Sequence, residues 1–128
     1  LFEVLEDGYA KDMFHIFYRG NLIMSAELTT FHLLEKIGSM FVGDHYATDK
    51  ENVYFNGGLI DDLDILNFEN LGEGYIKDEE SVFYRGQKIP DADAETFEAY
   101  VTGEFSDMAG GFAKDKNASY DSGVRREK

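Results

Sequence analysis

Three histidines and a dense set of carboxylates have the widest chemical reach in this chain. His15, His32 and His45 could ligate zinc or copper, which calls for imidazole nitrogens at short, regular spacings. No pair of them has such a spacing, and none recurs at an equivalent place elsewhere, so they read as exposed turn histidines. Asp61, Asp62 and Asp64, and separately Asp91, Asp93 and Glu95, resemble hard-cation loops. An EF-hand needs glycine at its sixth position and glutamate at its twelfth. Counted from Asp91, those places hold Thr96 and Thr102, and turn capping is the simpler role. Acid–base work by paired carboxylates needs one acid raised by an apolar setting, whereas most acids here fall in turns. No glycine-rich loop precedes a helix, no nucleophile elbow surrounds a serine, and there is no cysteine. The sequence therefore predicts no enzyme, and it assigns no catalytic, cofactor-binding or metal-ligating residue.

The charge balance narrows the partners. Among 128 residues, 12 are Lys or Arg and 26 are Asp or Glu, for a net charge of −14. A nucleic-acid backbone would be repelled, while basic protein surfaces would be attracted. No run approaches the ~18 apolar residues of a membrane-crossing helix. The first residues, Leu1 to Glu6, have neither the basic nor the long apolar region of a signal peptide. The compartment stays open, either cytoplasm or envelope. The length suits one domain, and the aromatic content is too high for a disordered acidic chain.

The aromatic residues are organised by an internal repeat. Four segments align without gaps, beginning at Tyr9, Tyr46, Tyr75 and Phe112 and ending at Gly20, Gly57, Gly86 and Gly123. A further Phe follows each of the first three starts, at Phe31, Phe68 and Phe97, and Phe2 looks like the tail of an earlier copy. The starts are 37, 29 and 37 residues apart, so a higher period of 66 relates Tyr9 to Tyr75 and Tyr46 to Phe112. Among the aromatic residues, only Phe14, Phe41, Tyr100 and Phe105 fall outside recurring slots. Recurrence in each unit argues for packing over a ligand-binding stripe. The expected units are 9–45, 46–74, 75–111 and 112–128, in one repeat domain over 1–128.

The elements that must position these residues are strands. Val53-Tyr54-Phe55 and Val82-Phe83-Tyr84 are β-branched and aromatic runs. Asp49 to Asn52 and Asp78 to Ser81 suit hairpin turns. Gly57-Gly58 and Arg85-Gly86 mark a second turn before a third strand. Arg19 and Arg85, which follow the aromatic pair in alternate units, read as exposed strand residues in preference to a repeated contact. Both parities of the central strand are apolar, which predicts burial on both faces. Asp93 is placed to cap one helical turn delivering Phe97 to the core, and a short helix over Thr30 to Lys36 also fits. The segments from Phe31 to Asp44 and from Phe97 to Gly111 are expected to extend into longer strand pairs. The fold class expected is all-β: a tandem array of short meanders stacked side by side, with short helical turns between units. In the fourth copy, Ser119, Asp121 and Arg126 replace apolar slots, which fits either a polar terminal cap or a frayed tail from about Asn117.

The words Tyr-Ala-Lys-Asp-Lys-Asn and Val-Tyr-Tyr, divided among the copies, resemble the bacterial repeat family named for its DKNYY motif. Asp115-Lys116-Asn117 and the run Asp49 to Phe55 match it best, and the similarity covers the whole chain through its copies. Copies one and four depart most, at Met13-Phe14-His15 and at Ser119 and Asp121. The resemblance implies a multi-repeat bacterial protein and carries over no catalytic residues. The function expected is a non-catalytic protein-binding module, of the immunity type that neutralises a basic toxin. The alternative is a structural repeat of a cell-envelope protein or lipoprotein. A third reading, a glycan hydrolase, would need two carboxylates facing each other about 5 to 9 Å apart across a cleft.

Overall fold

Four tight turns of one chemistry organise the chain. In Arg19-Gly20, Asn56-Gly57, Arg85-Gly86 and Ser122-Gly123 the first residue has φ of 46–49° and the glycine 79–82°. Two successive left-handed residues make the type I′ turn, whose twist matches that of the strands it joins. Arg85 therefore sits in the turn that Arg85-Gly86 marks, and Arg19 is likewise a turn residue; neither is the exposed strand residue that the pattern also suggests. Only the glycine adopts this region without steric cost, which explains why the glycine recurs in all four copies while its neighbour varies.

The computed structural model describes residues 2–37, 44–100 and 112–127. They form four separate antiparallel sheets, each a four-stranded meander in chain order. The first comprises β1 (Glu3–Val4), β2 (Tyr9–Lys11), β3 (Ile16–Tyr18) and β4 (Asn21–Leu22). The second comprises β5 (His32–Leu33), β6 (Tyr46–Thr48), β7 (Val53–Phe55) and β8 (Gly58–Leu59). The third comprises β9 (Glu69–Gly72), β10 (Tyr75–Lys77), β11 (Val82–Tyr84) and β12 (Gln87–Lys88). The fourth comprises β13 (Glu98–Ala99), β14 (Phe112–Lys114), β15 (Ala118–Asp121) and β16 (Val124–Glu127). Each sheet thus opens on the strand that follows a recurrent Phe, ahead of the hairpin that carries the motif.

No helix occurs among the described residues. The helix considered over Thr30 to Lys36 gives way to strand β5; just before it, the Phe31 amide donates to the Glu27 carbonyl at 3.0 Å, a single helical turn. The fourth copy is paired through Glu127, with Ala118 opposite Glu127 and Asp121 opposite Val124, so its tail is not frayed there. The extensions expected towards Asp44 and Gly111 lie largely outside the described residues; only β5 and β13 of them are seen.

The chain divides into two compact units. One holds Leu1–Glu35 with Phe41–Ile65, the other Lys36–Met40 with Leu66–Lys128. In the first unit Tyr9, Ile16 and Ile23 meet Phe31, Ala47 and Tyr54 in a buried cluster. In the second, Tyr75, Val82 and Ile89 meet Phe97, Ala113 and Tyr120. A column of rings runs through each: Tyr18–Tyr9–Phe31–Tyr54 at 5.0, 5.7 and 5.8 Å, and Tyr84–Tyr75–Phe97–Tyr120 at 4.8, 5.2 and 5.0 Å between centroids. Tilted contacts at these distances suit aromatic quadrupoles.

Strand parity alternates between the two sheets of a unit. The first sheet sends Tyr9, Ile16 and Tyr18 inward, whereas the second sends Ala47 and Tyr54 inward. The residues of opposite parity are also covered in the central strands. Val53 is 1% exposed and Phe83 2%, as the apolar pattern on both parities predicts.

Candidate functional site

The acid of the repeated motif is a structural fastener. Asp49 Oδ1 accepts the amides of Glu51 and Asn52, both at 2.8 Å, which closes the hairpin turn. Its Oδ2 accepts the Glu27 amide at 2.8 Å and the Tyr54 hydroxyl at 3.2 Å. Asp115 repeats this in the second unit. It accepts the amides of Asn117 and Ala118 on Oδ1, and on Oδ2 the Asp93 amide at 2.8 Å and the Tyr120 hydroxyl at 2.7 Å. One buried carboxylate thus ties turn, linker and core ring together. Burial opposes its ionisation, and the hydrogen bonds together outweigh that cost, so both carboxyls sit below the ordinary carboxylate value. Burial, and then the neighbouring carboxylate, pushes the Tyr120 phenol up to about 12.

Two further bonds complete the knot. The Lys50 and Lys116 amides donate to the hydroxyls of Thr30 and Thr96, each at 2.9 Å. The Gly57 amide donates to the Tyr9 hydroxyl at 2.8 Å, and the Gly123 amide to that of Tyr75 at 3.0 Å. Asp12 and Asp78 hold their hairpin turns by the same two-amide clasp. Asp93, expected to cap a turn, accepts the Thr96 hydroxyl while its own amide is held by Asp115. These acids are consumed by the fold.

One cluster was hidden from the sequence. His45, read there as an exposed turn residue, is buried at 5% exposure. Its Nδ1 lies 2.7 Å from Asp7 Oδ2, and its Nε2 lies 2.7 Å from the Leu34 carbonyl oxygen. Both ring nitrogens face acceptors, so the ring joins the first turn of the β1–β4 sheet to the chain leaving β5. Glu6 brings a third side chain near, and ligand atoms of Glu6, Asp7 and His45 all lie within 4.8 Å of one another. Three such donors are the minimum for a zinc-type site; here the histidine is already engaged on both sides. Glu6 and Asp7 are neighbours in the chain but His45 is 38 residues beyond Asp7, and only the stacking of two sheets within the unit unites them. His15 and His32 are exposed, as expected.

The remaining acids are spread over turns and edges. Asp61, Asp62 and Asp64 are exposed, as are Glu79 and Glu80 at a hairpin tip. In the second unit an open groove is lined by Glu69, Glu95 and Glu98 together with Lys77, Lys114 and Lys116. The charges there alternate, and Lys77 Nζ is already committed to the Ala94 carbonyl at 2.7 Å.

A family model matches the chain twice, over residues 1–58 and 58–123; it is that of the DKNYY family. The chain belongs to the DKNYY family. The two matches follow the two halves of the sequence. No curated protein and no solved structure matches the chain. The DKNYY motif now has a physical meaning. Its aspartate closes the hairpin, its lysine offers a backbone amide to a threonine, and its first tyrosine returns a hydroxyl to the aspartate. The motif describes how each unit holds itself together.

Proposed function

We propose that this DKNYY chain is a non-catalytic repeat module that binds a protein partner through a basic surface on that partner. The observation that carries the reading is the division among its acids. The buried aspartates Asp49 and Asp115 are saturated by the fold, whereas clusters such as Asp61, Asp62, Asp64, Glu79 and Glu80 lie exposed in a chain of net charge −14. Such a surface steers a basic partner and speeds its encounter. Blocking a basic bacterial toxin, as an immunity protein does, is the specific form proposed. Calorimetric titration against a panel of basic toxin domains tests it. Binding should weaken at least tenfold between low and moderate salt, and further with Glu79→Lys and Glu80→Lys. Salt-independent binding, or none across the panel, would refute it.

A structural role as one repeat segment of a longer envelope protein is the second reading. It is favoured by the exposed apolar face of the β1–β4 sheet, which carries Phe2, Val4 and Leu22.

A further inference from the structure

A short turn and the start of a strand meet at one histidine. Between β1 and β2, the Tyr9 amide donates to the Glu6 carbonyl at 3.1 Å and the Arg19 amide to the Gly8 carbonyl at 2.8 Å, which fixes the turn holding Glu6 and Asp7. His45, just ahead of β6, is fixed as firmly. Its amide donates to Asn56 Oδ1 at 2.8 Å, and its carbonyl accepts the Asn56 amide at 3.2 Å. These backbones bring two carboxylates and one buried imidazole together, with ligand atoms all within 4.8 Å of one another.

The ring itself calls for a positive partner. A neutral imidazole carries one N–H and one lone pair. Nε2 faces the Leu34 carbonyl oxygen at 2.7 Å, which can only accept, so the N–H of a neutral His45 belongs there. The lone pair of Nδ1 then faces Asp7 Oδ2 at 2.7 Å, and two acceptors repel unless a proton or a metal ion lies between them. Ligating histidines have this arrangement: the far N–H donates to a carbonyl, which fixes the tautomer and aims the near nitrogen at the metal. An ion held at about 2.0–2.2 Å by each donor keeps any two of them within about 4.4 Å of one another. Asp7, with a side chain 18% exposed, and Glu6, which is exposed, have room to turn to such distances around the fixed ring.

We propose that Glu6, Asp7 and His45 Nδ1 form a binding site for a zinc-type divalent ion, which takes the place of the proton between His45 and Asp7 and fastens the two sheets of the first unit. An imidazole donor selects ions of the zinc class over calcium and magnesium, which favour oxygen alone. Three protein donors leave a fourth place for water. The site belongs to the first unit. At a distance of 66 residues, Gly72, Glu73 and Gly111 stand where Glu6, Asp7 and His45 do, so one donor of three remains. The carboxylate knots at Asp49 and Asp115 occur in both units, so folding a unit does not require the three donors. This inference goes beyond the basic-partner reading and uses none of the acids on which that reading rests.

Titration of the full chain with zinc, after chelation and dialysis, tests the proposal. Calorimetry should show one saturable site per chain, which excess calcium or magnesium does not displace. Long-range proton–nitrogen spectra should show zinc shifting the His45 Nδ1 resonance while Nε2 keeps its proton, with the rings of His15 and His32 unmoved. Glu6→Gln, at an exposed side chain outside the His45 hydrogen bonds, should weaken zinc binding at least about tenfold, since even the outer partners of a ligand are worth that much. Asp7→Asn should weaken it further, and His32→Gln should leave it unchanged. Because Glu6→Gln leaves the clasp of His45 and Asp7 in place, its result does not depend on a variant that misfolds. Zinc that does not saturate at one per chain, that leaves the His45 ring signals unchanged, that yields to calcium, or that binds Glu6→Gln as tightly as the wild type would overturn the proposal. The clasp would then be a proton-bridged pair, and the metal adventitious on an acidic surface. No basic partner enters the assay, so its failure is distinct from failure of the proposed function.

Discussion

The two units share one interior and differ around it. Each has a carboxylate knot at Asp49 or Asp115, a ring column of four aromatic residues, and a tyrosine hydroxyl receiving a glycine amide. Around this common plan the first unit adds the His45–Asp7 clasp and an apolar outward row. Sixty-six residues on, the sequence holds Gly111 in place of His45 and Glu73 in place of Asp7. The repeated part is thus the part that makes a unit fold, and the parts that vary lie outside it, in a turn clasp and on an outward sheet face. That separation is what a stacked-repeat architecture allows, because each unit needs a fixed core and only its faces meet something new.

The sharpest way to break the likeness is to remove a knot. Asp49→Ala and Asp115→Ala each leave three amides and a tyrosine hydroxyl without their acceptor. Each should cost about 4 kcal/mol, as for loss of a buried charged acceptor. Amide exchange should locate the loss in the unit that carries the substitution. Equal loss in both units would show that the units do not fold by separate plans.

Next in size come the turn glycines. A Cβ on Gly57 would lie 2.6 Å from Tyr18 Cβ, and one on Gly123 would lie 2.8 Å from Tyr84 Cβ, both at φ of +79°. Gly57→Ala and Gly123→Ala should each cost about 3 kcal/mol, from the left-handed conformation and overpacking together. Gly20→Ala, at φ of +82° with nothing within 4 Å of its added carbon, should cost only about 1 kcal/mol. Urea unfolding measures all three, and equal values would remove the close approach as a cause.

His45→Gly gives the first unit the residue that the second has. It forfeits bonds to Asp7 and to the Leu34 carbonyl and should cost about 2 kcal/mol, in the first unit alone. A loss below ~0.5 kcal/mol in thermal unfolding would show the clasp to be dispensable.

Acid should bring the two units back together. Asp49 and Asp115 have carboxyls lowered on folding, so their contribution is complete above the ordinary value of 3.8 and declines as pH falls through the lowered one. Stability of both units should fall in parallel below about pH 4. Asp49→Asn should flatten that slope in the first unit only. An unchanged slope would move the acid sensitivity elsewhere, such as to Asp12, whose carboxyl is also lowered by its turn amides.

Much of this was legible in the residues. Alternation of polar turns with Val53-Tyr54-Phe55 and Val82-Phe83-Tyr84 determined the strands, because period and turn chemistry are local. Spacing alone gave the period of 66 that reappears as two units. Apolar residues on both parities announced burial on both faces. The turn at Arg85-Gly86 was legible from its glycine, whereas the reading of the Arg19 and Arg85 side chains as exposed strand residues failed because arginine itself carries no signal for a left-handed turn. The sequence thus determined the strands, the turns and their repetition, since those depend on neighbours along the chain. Only the tertiary structure decided that His45 is buried against Asp7, that Asp49 reaches back to Glu27, and that Val4, Ala10, Phe17 and Leu22 form one row. Those depend on cross-strand register and on which faces meet, and residues far apart in the chain acquire these relations only when the sheets assemble.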